Sequence, residues 1–107
     1  MATDNTTVGQ TILDQLGGRR FIVMTGARAF TALPNGLMFR LPIGSANKVR
    51  IILAGDDTYT VETFKVRGQS VKAFPAVDGV YADNLRDVFT RLTGLETSLG
   101  SLGRRLA

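Results

Sequence analysis

Apolar residues recur with helical spacing near both ends of this chain. The N-terminal set predicts a short helix that Thr6 or Thr7 caps and that Gly17 and Gly18 end. Its apolar stripe comprises Val8, Ile12, Leu13 and Leu16. The C-terminal set predicts a helix over about residues 81–93, with an apolar stripe comprising Tyr81, Leu85, Val88, Phe89 and Leu92. Because each helix is apolar on one face, each needs a sheet or another helix to pack against.

Between the helices, short runs of alternating or β-branched residues predict strands. The predicted strands span residues 20–25, 37–41, 48–53 and 58–67, with residues 71–74 as a short fifth. Pro-Asn-Gly at residues 34–36 is typical of a turn, and Gly-Asp-Asp at residues 55–57 of a chain reversal. The predicted fold class is α+β: an antiparallel sheet of four to five strands, with a short N-terminal helix and a C-terminal helix packed on one face.

The length of 107 residues predicts a single domain, residues 1–107. We expect residues 6–95 to form the folded core, and residues 1–5 and 96–107 to be flexible tails or arms of a homo-oligomer. The N-terminal residues lack the features of a secretory signal, and no run approaches the ~18 apolar residues of a membrane span. These features predict a cytoplasmic protein with no membrane partner.

The residue types available for catalysis are limited, because the chain contains no cysteine and no histidine. Disulfides, thiolate metal sites and nucleophile pairs that need histidine are therefore excluded. The acidic doublet of Asp56 and Asp57 is more typical of a hairpin turn than of a magnesium site. Spacing alone does not bring Glu62, Asp83 and Asp87 together. We therefore expect no catalytic residue, metal, cofactor or small-molecule substrate, and hence a protein that is not an enzyme.

The glycine-containing segments do not form a phosphate-binding motif. MTGARAF, at residues 24–30, has neither a Walker A nor a dinucleotide pattern, and predicts a bulge or turn that returns Phe30 to the core. LGGRRF, at residues 16–21, ends a helix instead of beginning one, so it does not predict an anion site.

Positive charge is concentrated on the predicted strands. The chain has 13 basic and 9 acidic residues, a net charge of +4 that favours polyanionic partners. If Phe64 and Val66 point inward, the outward side of the sheet carries a candidate nucleic-acid-binding set, which comprises Arg40, Lys48, Arg50, Tyr59, Lys65 and Arg67. The cations would neutralise phosphates, and Tyr59 would stack on a base. Glu62 shares the side of Phe64 and Val66 and leaves this facing open.

A solvated sheet face is the alternative interpretation of the same charges. Lysine and arginine also protect exposed sheets from pairing with other chains. The predicted face also has a single aromatic residue, whereas single-strand binders depend on aromatic stacking for affinity, and this favours the solvated face.

A pattern of the form LGG-x-RF-x-x-MTGA followed by YAD-x-L-x-x-x-F-x-x-x-TGL runs through this chain. It lies in ILDQLGGRRFIVMTGARAF (12–30) and GVYADNLRDVFTRLTGL (79–95), with LMFRLP (37–42) and TYTVETFKVRG (58–68) between them. These segments resemble a family of small proteins encoded by phages and other mobile elements. The resemblance implies a phage or mobile-element origin, with a role in genome handling, virion structure or interference with host defence. It carries over no catalytic or binding residue.

Three functional hypotheses follow. The first is a non-enzymatic phage or mobile-element protein of the host cytoplasm or virion that binds nucleic acid, with single-stranded DNA as the preferred ligand, through the basic sheet face. The second is a virion structural or assembly component that forms a homo-oligomer, its basic face meeting an acidic neighbouring subunit. The third, from the implied origin alone, is an inhibitor of a host defence protein.

Overall fold

A computed structural model describes the chain from residue 3 to residue 95. The elements in this range are α1 (Thr3–Leu16), α2 (Arg19–Thr25), β1 (Arg28–Leu33), β2 (Gly36–Arg40), β3 (Lys48–Leu53), β4 (Tyr59–Arg67), β5 (Ser70–Ala73), β6 (Val77–Val80), a 3-10 turn (Ala82–Asn84) and α3 (Leu85–Thr93). The α+β prediction is confirmed, because the strands form one antiparallel sheet between an N-terminal and a C-terminal helix.

The boundaries of the folded core differ from the prediction at the N-terminus. Helix α1 begins at Thr3, so residues 3–5 belong to a helix and not to a tail. Thr7 lies inside α1, where its carbonyl accepts a hydrogen bond from the Thr11 hydroxyl at 2.9 Å, and is not the cap. The helix ends as predicted: Gly17 and Gly18 have positive φ, and the N–H of Gly18 donates to the carbonyl of Leu13. The predicted arm at residues 96–107 lies outside the described residues.

The strands follow one another across the sheet in the order β1-β2-β3-β4-β5, and β6 pairs with β4 beside β5. Each strand predicted from residue 37 onward coincides with an observed strand. Strands β1 and β6 lie in segments without a predicted strand. The bulge predicted in residues 24–30 is confirmed: the register of β1 shifts between Arg28 and Thr31, Ala29 has a φ of 56°, and Phe30 packs against the core.

The prediction of a strand over residues 20–25 is wrong, because Arg19–Thr25 forms helix α2. Phe21 and Thr25, four residues apart, are both buried, and the Thr25 hydroxyl donates to the Phe21 carbonyl at 2.8 Å. The Phe21 ring packs edge-on against Phe39 of the sheet and Phe89 of α3. This tertiary packing outweighs the strand propensity of the β-branched residues in the segment.

Helices α2 and α3 end in the same way. The segments FIVMTGA (21–27) and FTRLTGL (89–95) carry phenylalanine, threonine and glycine at the same spacing. In α3 the Thr93 hydroxyl donates to the Phe89 carbonyl at 2.8 Å. This bond matches the one from the Thr25 hydroxyl to the Phe21 carbonyl in α2. Gly26 and Gly94 follow with φ of 73° and 79°, a left-handed conformation that favours glycine. The pattern Phe-x-x-x-Thr-Gly therefore marks a helix end twice in this chain.

The core lies between the sheet and the helices, which cover one face of it. Helix α1 packs on β1 and β2, and α3 packs on β4 and α1. At the centre, Phe21, Phe39 and Phe89 are fully buried, with ring centroids 5.1 to 6.2 Å apart. Burial of each ring stabilises the fold by about 1.5–3 kcal/mol. The helices described between residues 3 and 95 do not have the length and apolarity needed to span a membrane.

Candidate nucleic-acid interface

The outer face is the side of the sheet opposite the helices. In β2 and β3, Phe39 and Val49 are buried against the helices, so the residues that alternate with them point outward. Arg40, Lys48 and Arg50 therefore share the outer face, and the strand register places Arg40 directly opposite Lys48. The structure thus brings together three of the six residues predicted to bind nucleic acid.

The prediction that Phe64 and Val66 point inward is wrong. The residues of β4 that point toward the core are Tyr59, Val61 and Thr63. Strand pairing places Glu62 opposite Arg50 and Phe64 opposite Lys48, so Glu62 and Phe64 belong to the outer face. Opposite charges directly across a strand pair are favourable, and this facing also leaves the glutamate in contact with solvent.

Tyr59 lies in the core and cannot stack on a base, contrary to its predicted role. Its residue surface is 5% exposed, and its hydroxyl donates a hydrogen bond to Oε1 of Gln15 in α1 at 2.6 Å. Burial raises the pKa of the Tyr59 phenol above its ordinary value of 10.0, while the hydrogen bond to Gln15 acts in the opposite direction. Tyr59 therefore joins α1 to the sheet.

Lys65 and Arg67 lie on the helix side of the sheet, continuing the alternation of the buried half of β4. The Lys65 ammonium donates to the carbonyl of Gly44 at 3.3 Å, and Arg67 is exposed. The prediction that these two residues share a face with Lys48 and Arg50 is therefore wrong, because the facing of β4 is inverted.

Arg50 is compensated by Glu62 on the outer face. Its Nε donates to Glu62 Oε1, and the pair is partly exposed, with 43% and 28% of the two side-chain surfaces accessible. The hydrogen bond to Glu62 is the main cause that raises the pKa of Arg50, and burial opposes it. Since Glu62 offsets its charge, Arg50 attracts an anion less strongly than Arg40 or Lys48 does.

Three cations form a row across the first three strands, which we call the basic row: Arg28, Arg40 and Lys48. Arg28 lies directly opposite Arg40, which lies directly opposite Lys48. Adjacent strands are ~4.8 Å apart, so the row spans ~10 Å. Like charges in directly opposed positions are destabilising. Among residues 7–95, whose side chains the structure describes, no acidic group forms an ion pair with any of the three, and these residues leave the row uncompensated.

Phe64 continues the basic row onto β4, directly opposite Lys48. The Phe64 ring is half-buried, and two cations lie close to it. The Lys48 ammonium and the Arg50 guanidinium are each 6.0 Å from the ring centroid. An aromatic ring flanked by cations suits a base that stacks while its phosphate is neutralised. The structure thus places Phe64, not Tyr59, beside the cations.

Sequence patterning missed Arg28 and Phe64 for different reasons. Arg28 is the first residue of β1, a strand whose bulge obscures its alternation. The apolar side chain of Phe64 predicts a position in the core. Counting pairs outward from the β3–β4 turn, where Leu53 pairs with Tyr59, would have placed Phe64 opposite Lys48.

The acidic doublet forms a hairpin turn, as the sequence predicted. The Asp56 carboxylate accepts hydrogen bonds from the hydroxyl of Thr58 at 2.7 Å and from its backbone N–H at 3.3 Å. These bonds lower the pKa of the Asp56 carboxyl, the hydroxyl bond most. Asp57 adopts a left-handed φ of 65°. In the described part of the chain, no three acidic side chains converge into a group that could hold a metal ion.

The resemblance to phage and mobile-element proteins remains a prediction. No protein-family model, curated protein or solved structure matches this chain.

Proposed function

We propose that this protein binds single-stranded nucleic acid, without catalysis, through the outer face of its sheet. The basic row neutralises phosphates, and Phe64 stacks on a base. The observation that carries the proposal is the uncompensated row, in which Arg28, Arg40 and Lys48 lie in directly opposed positions and end against a half-buried aromatic ring. A fold gains no stability from such a row, so its charges are available to an anionic partner.

The form of the ligand follows from Phe64 and from the strands that make up the outer face. A base can stack on an aromatic side chain when it is not already stacked within a duplex. Within residues 3–95, the outer face consists of strands and carries no helix that would enter a major groove. We therefore expect preference for single strands, with little dependence on base sequence.

The salt dependence of binding tests the electrostatic part of the proposal. Fluorescence anisotropy of a labelled oligothymidine should show binding that weakens as salt is raised. Three phosphate contacts predict a slope of about −2 in log K against log salt, or roughly twentyfold weaker binding between about 50 and about 200 mM. A duplex of the same length should bind more weakly than the single strand. Absence of binding at low salt would overturn the proposal.

Two variants with equal charge change locate the surface. The double substitution Arg40→Gln and Lys48→Gln should weaken binding more than tenfold at low salt and make the slope about 1.4 less steep, since two contacts are lost. The control, Arg86→Gln with Arg91→Gln, removes two exposed cations from the helical layer. Equal losses in the two variants would mean that net charge, and not the outer face, determines binding.

Replacement of the aromatic ring tests stacking separately from charge. Phe64→Leu should weaken binding by about 1–3 kcal/mol, roughly 5- to 150-fold, with an unchanged salt slope. Tyr81→Leu is the control, because Tyr81 is an aromatic residue with 63% exposure beside α3. A loss of affinity in Tyr81→Leu that matches that of Phe64→Leu would exclude a specific role for Phe64.

A second candidate function, a self-assembling virion or assembly component, is favoured by β5. This strand ends the described sheet order, and all four of its residues are exposed, including Val71 at 62%. An exposed edge strand is a template for pairing with another chain. Light scattering should show an oligomer that Val71→Lys dissociates. The same change at the exposed Val23 of α2 should leave the oligomer intact, and a monomeric wild-type protein would exclude this candidate.

A further inference from the structure

A cleft of about 540 Å³ lies on the helix side of the sheet, between the ends of β4 and β5 and the loop that contains Gly44 and Ser45. Its volume falls within the range of pockets that hold small organic ligands. The cleft is separate from the outer face, because Lys65 and Arg67, which line it, project from the opposite side of β4 to Phe64. We call it the β5 cleft.

The charge of the β5 cleft is positive. Lys65, Arg67 and Lys72 line it, and none of the described lining residues is acidic. Lys65 and Lys72 lie directly opposite each other across β4 and β5, a like-charge pair that does not stabilise the sheet. Three cations converging on one concave surface suit a ligand with more than one negative charge, and the guanidinium of Arg67 suits the oxygens of a phosphate.

The walls of the β5 cleft are held in place by hydrogen bonds. The Lys65 ammonium uses one of its three donors on the carbonyl of Gly44, at 3.3 Å, and keeps two for a ligand. The loop is tied to α3 through the Ser45 N–H, which donates to the Thr93 carbonyl at 3.1 Å. Gly44 has a φ of 116°, and a Cβ there would lie 3.0 Å from that same carbonyl oxygen. The loop side of the cleft and the Lys65 ammonium are therefore in place before a ligand arrives.

An aromatic ring and hydroxyl groups complete the lining. Phe74 is half-buried, and the Lys72 ammonium lies 5.5 Å from its ring centroid. The exposed Ser45 and Ser70 supply hydroxyls that can donate to phosphate oxygens. The cleft thus combines cationic groups with an aromatic ring on which a planar ring can stack.

We propose that the β5 cleft binds a nucleoside phosphate. Lys65, Arg67 and Lys72 contact the phosphate, and Phe74 packs against the base. Two sources provide this chemistry: a free nucleotide, and the 5′-phosphorylated end of a nucleic acid strand. The inference does not depend on the proposed function, because a mononucleotide can occupy the cleft whether or not the outer face binds a strand.

Isothermal titration calorimetry with AMP, adenosine and inorganic phosphate tests the proposal. AMP should bind at least tenfold more tightly than either adenosine or phosphate, since it alone offers both contacts. Lys65→Gln with Lys72→Gln should weaken AMP binding at least tenfold. Phe74→Leu should weaken AMP binding at least fivefold while leaving the affinity for phosphate unchanged. No heat of binding with AMP at millimolar concentration would overturn the proposal.

The control removes the same charge elsewhere. Arg86→Gln with Arg91→Gln alters two cations of α3 that do not line the β5 cleft, and AMP binding should be retained. Thermal unfolding followed by circular dichroism verifies that each variant is folded at the titration temperature. A tenfold loss of AMP affinity in the control would show that net charge, and not the cleft, holds the nucleotide.

Strands with and without a 5′-phosphate distinguish the two sources of the nucleoside phosphate, a free nucleotide and a strand end. Affinity is measured for a short oligothymidine with a 5′-phosphate and for the same strand with a 5′-hydroxyl, using the Arg40→Gln, Lys48→Gln variant. Tenfold preference for the phosphorylated end, lost in Lys65→Gln with Lys72→Gln, would assign the cleft to strand ends. Equal affinities together with AMP binding would assign it to free nucleotides. Equal affinities without AMP binding would contradict both.

Discussion

The side chain of Asn47 pairs with the backbone of Val66 as a neighbouring strand would. Its Nδ2 donates to the Val66 carbonyl at 2.9 Å, and its Oδ1 accepts from the Val66 N–H at 2.8 Å. The backbone N–H of Asn47 also donates to the carbonyl of Phe64 at 2.9 Å. Asn47 precedes β3 and follows the loop of Gly44, so these bonds extend the pairing of β4 and hold that loop beside the β5 cleft.

Substitution of Asn47 should measure the contribution of this pairing. Asn47→Ala removes both side-chain bonds and leaves two half-buried backbone groups of Val66 without their partner. We expect the free energy of unfolding to fall by about 1–3 kcal/mol in urea denaturation. Gln69→Ala, at an exposed position in the β4–β5 turn, should change it by less than about 0.5 kcal/mol. Equal effects of the two substitutions would show that the Asn47 bonds do not stabilise the fold.

Gly36 should tolerate no side chain, for a steric reason. A Cβ on Gly36 would lie 2.2 Å from the carbonyl oxygen of Ile51, and this backbone atom is held within β3. Gly36→Ala should therefore lower the free energy of unfolding by about 4 kcal/mol or abolish folding, as judged by circular dichroism and urea denaturation. At Gly55 a Cβ meets nothing within 4 Å, so Gly55→Ala should be nearly neutral. A stable Gly36→Ala protein would contradict this packing.

Local patterns predicted the helices at both ends and the strands from residue 37 onward, but not α2. Residues 20–25 include the β-branched Ile22, Val23 and Thr25, and this composition favours a strand when it is considered alone. The information that identifies α2 as a helix lies elsewhere in the chain, in the second copy of Phe-x-x-x-Thr-Gly at the end of α3. Comparing the two segments would have shown that Thr25 and Gly26 end a helix.

Only part of the candidate site could be predicted from the sequence. The reason is that polar and apolar residues alternate clearly in β3 but not in β4. Strand β3 places Val49 between Lys48 and Arg50, which fixes its facing. Strand β4 has polar and apolar residues on both faces, so its own pattern leaves the facing open. Pairing across the hairpin resolves it, because Glu62 then lies opposite Arg50. Which side chains of β4 point toward the core is therefore determined by its pairing with β3. The periodicity of β4 alone does not determine it.

Tyr59 should make stability depend on pH at alkaline values. Well below pH 10 the phenol is protonated in both states, and Tyr59→Phe should cost about 1 kcal/mol through loss of the bond to Gln15. Because burial raises the pKa of Tyr59 in the folded protein, the unfolded chain releases this proton first as the pH rises above the ordinary value of 10.0. The wild-type protein therefore loses stability above pH 10, and its advantage over Tyr59→Phe shrinks.

Thermal unfolding of both proteins at about pH 8 and about pH 10.5 measures this effect. The difference in Tm between wild type and Tyr59→Phe should be smaller at the higher pH. Tyr81→Phe, at an exposed tyrosine, should preserve the pH dependence of the wild type. A difference that grows with pH would mean that the buried phenol is more easily ionised in the folded state than in the unfolded one.

Glu62→Gln should strengthen binding to single-stranded DNA, in contrast to the substitutions that remove cations. The change keeps the shape of the side chain but frees Arg50 from its ion pair, adding a fourth cation to the outer face. We expect a gain of about 1 kcal/mol, roughly fivefold in Kd, and a salt slope steeper by about 0.7. Anisotropy titrations at two salt concentrations measure both quantities. Asp83→Asn makes the same change in net charge at an exposed site beside α3, and its gain should be much smaller. If Glu62→Gln gains no more affinity than Asp83→Asn, the outer face is not where the strand binds.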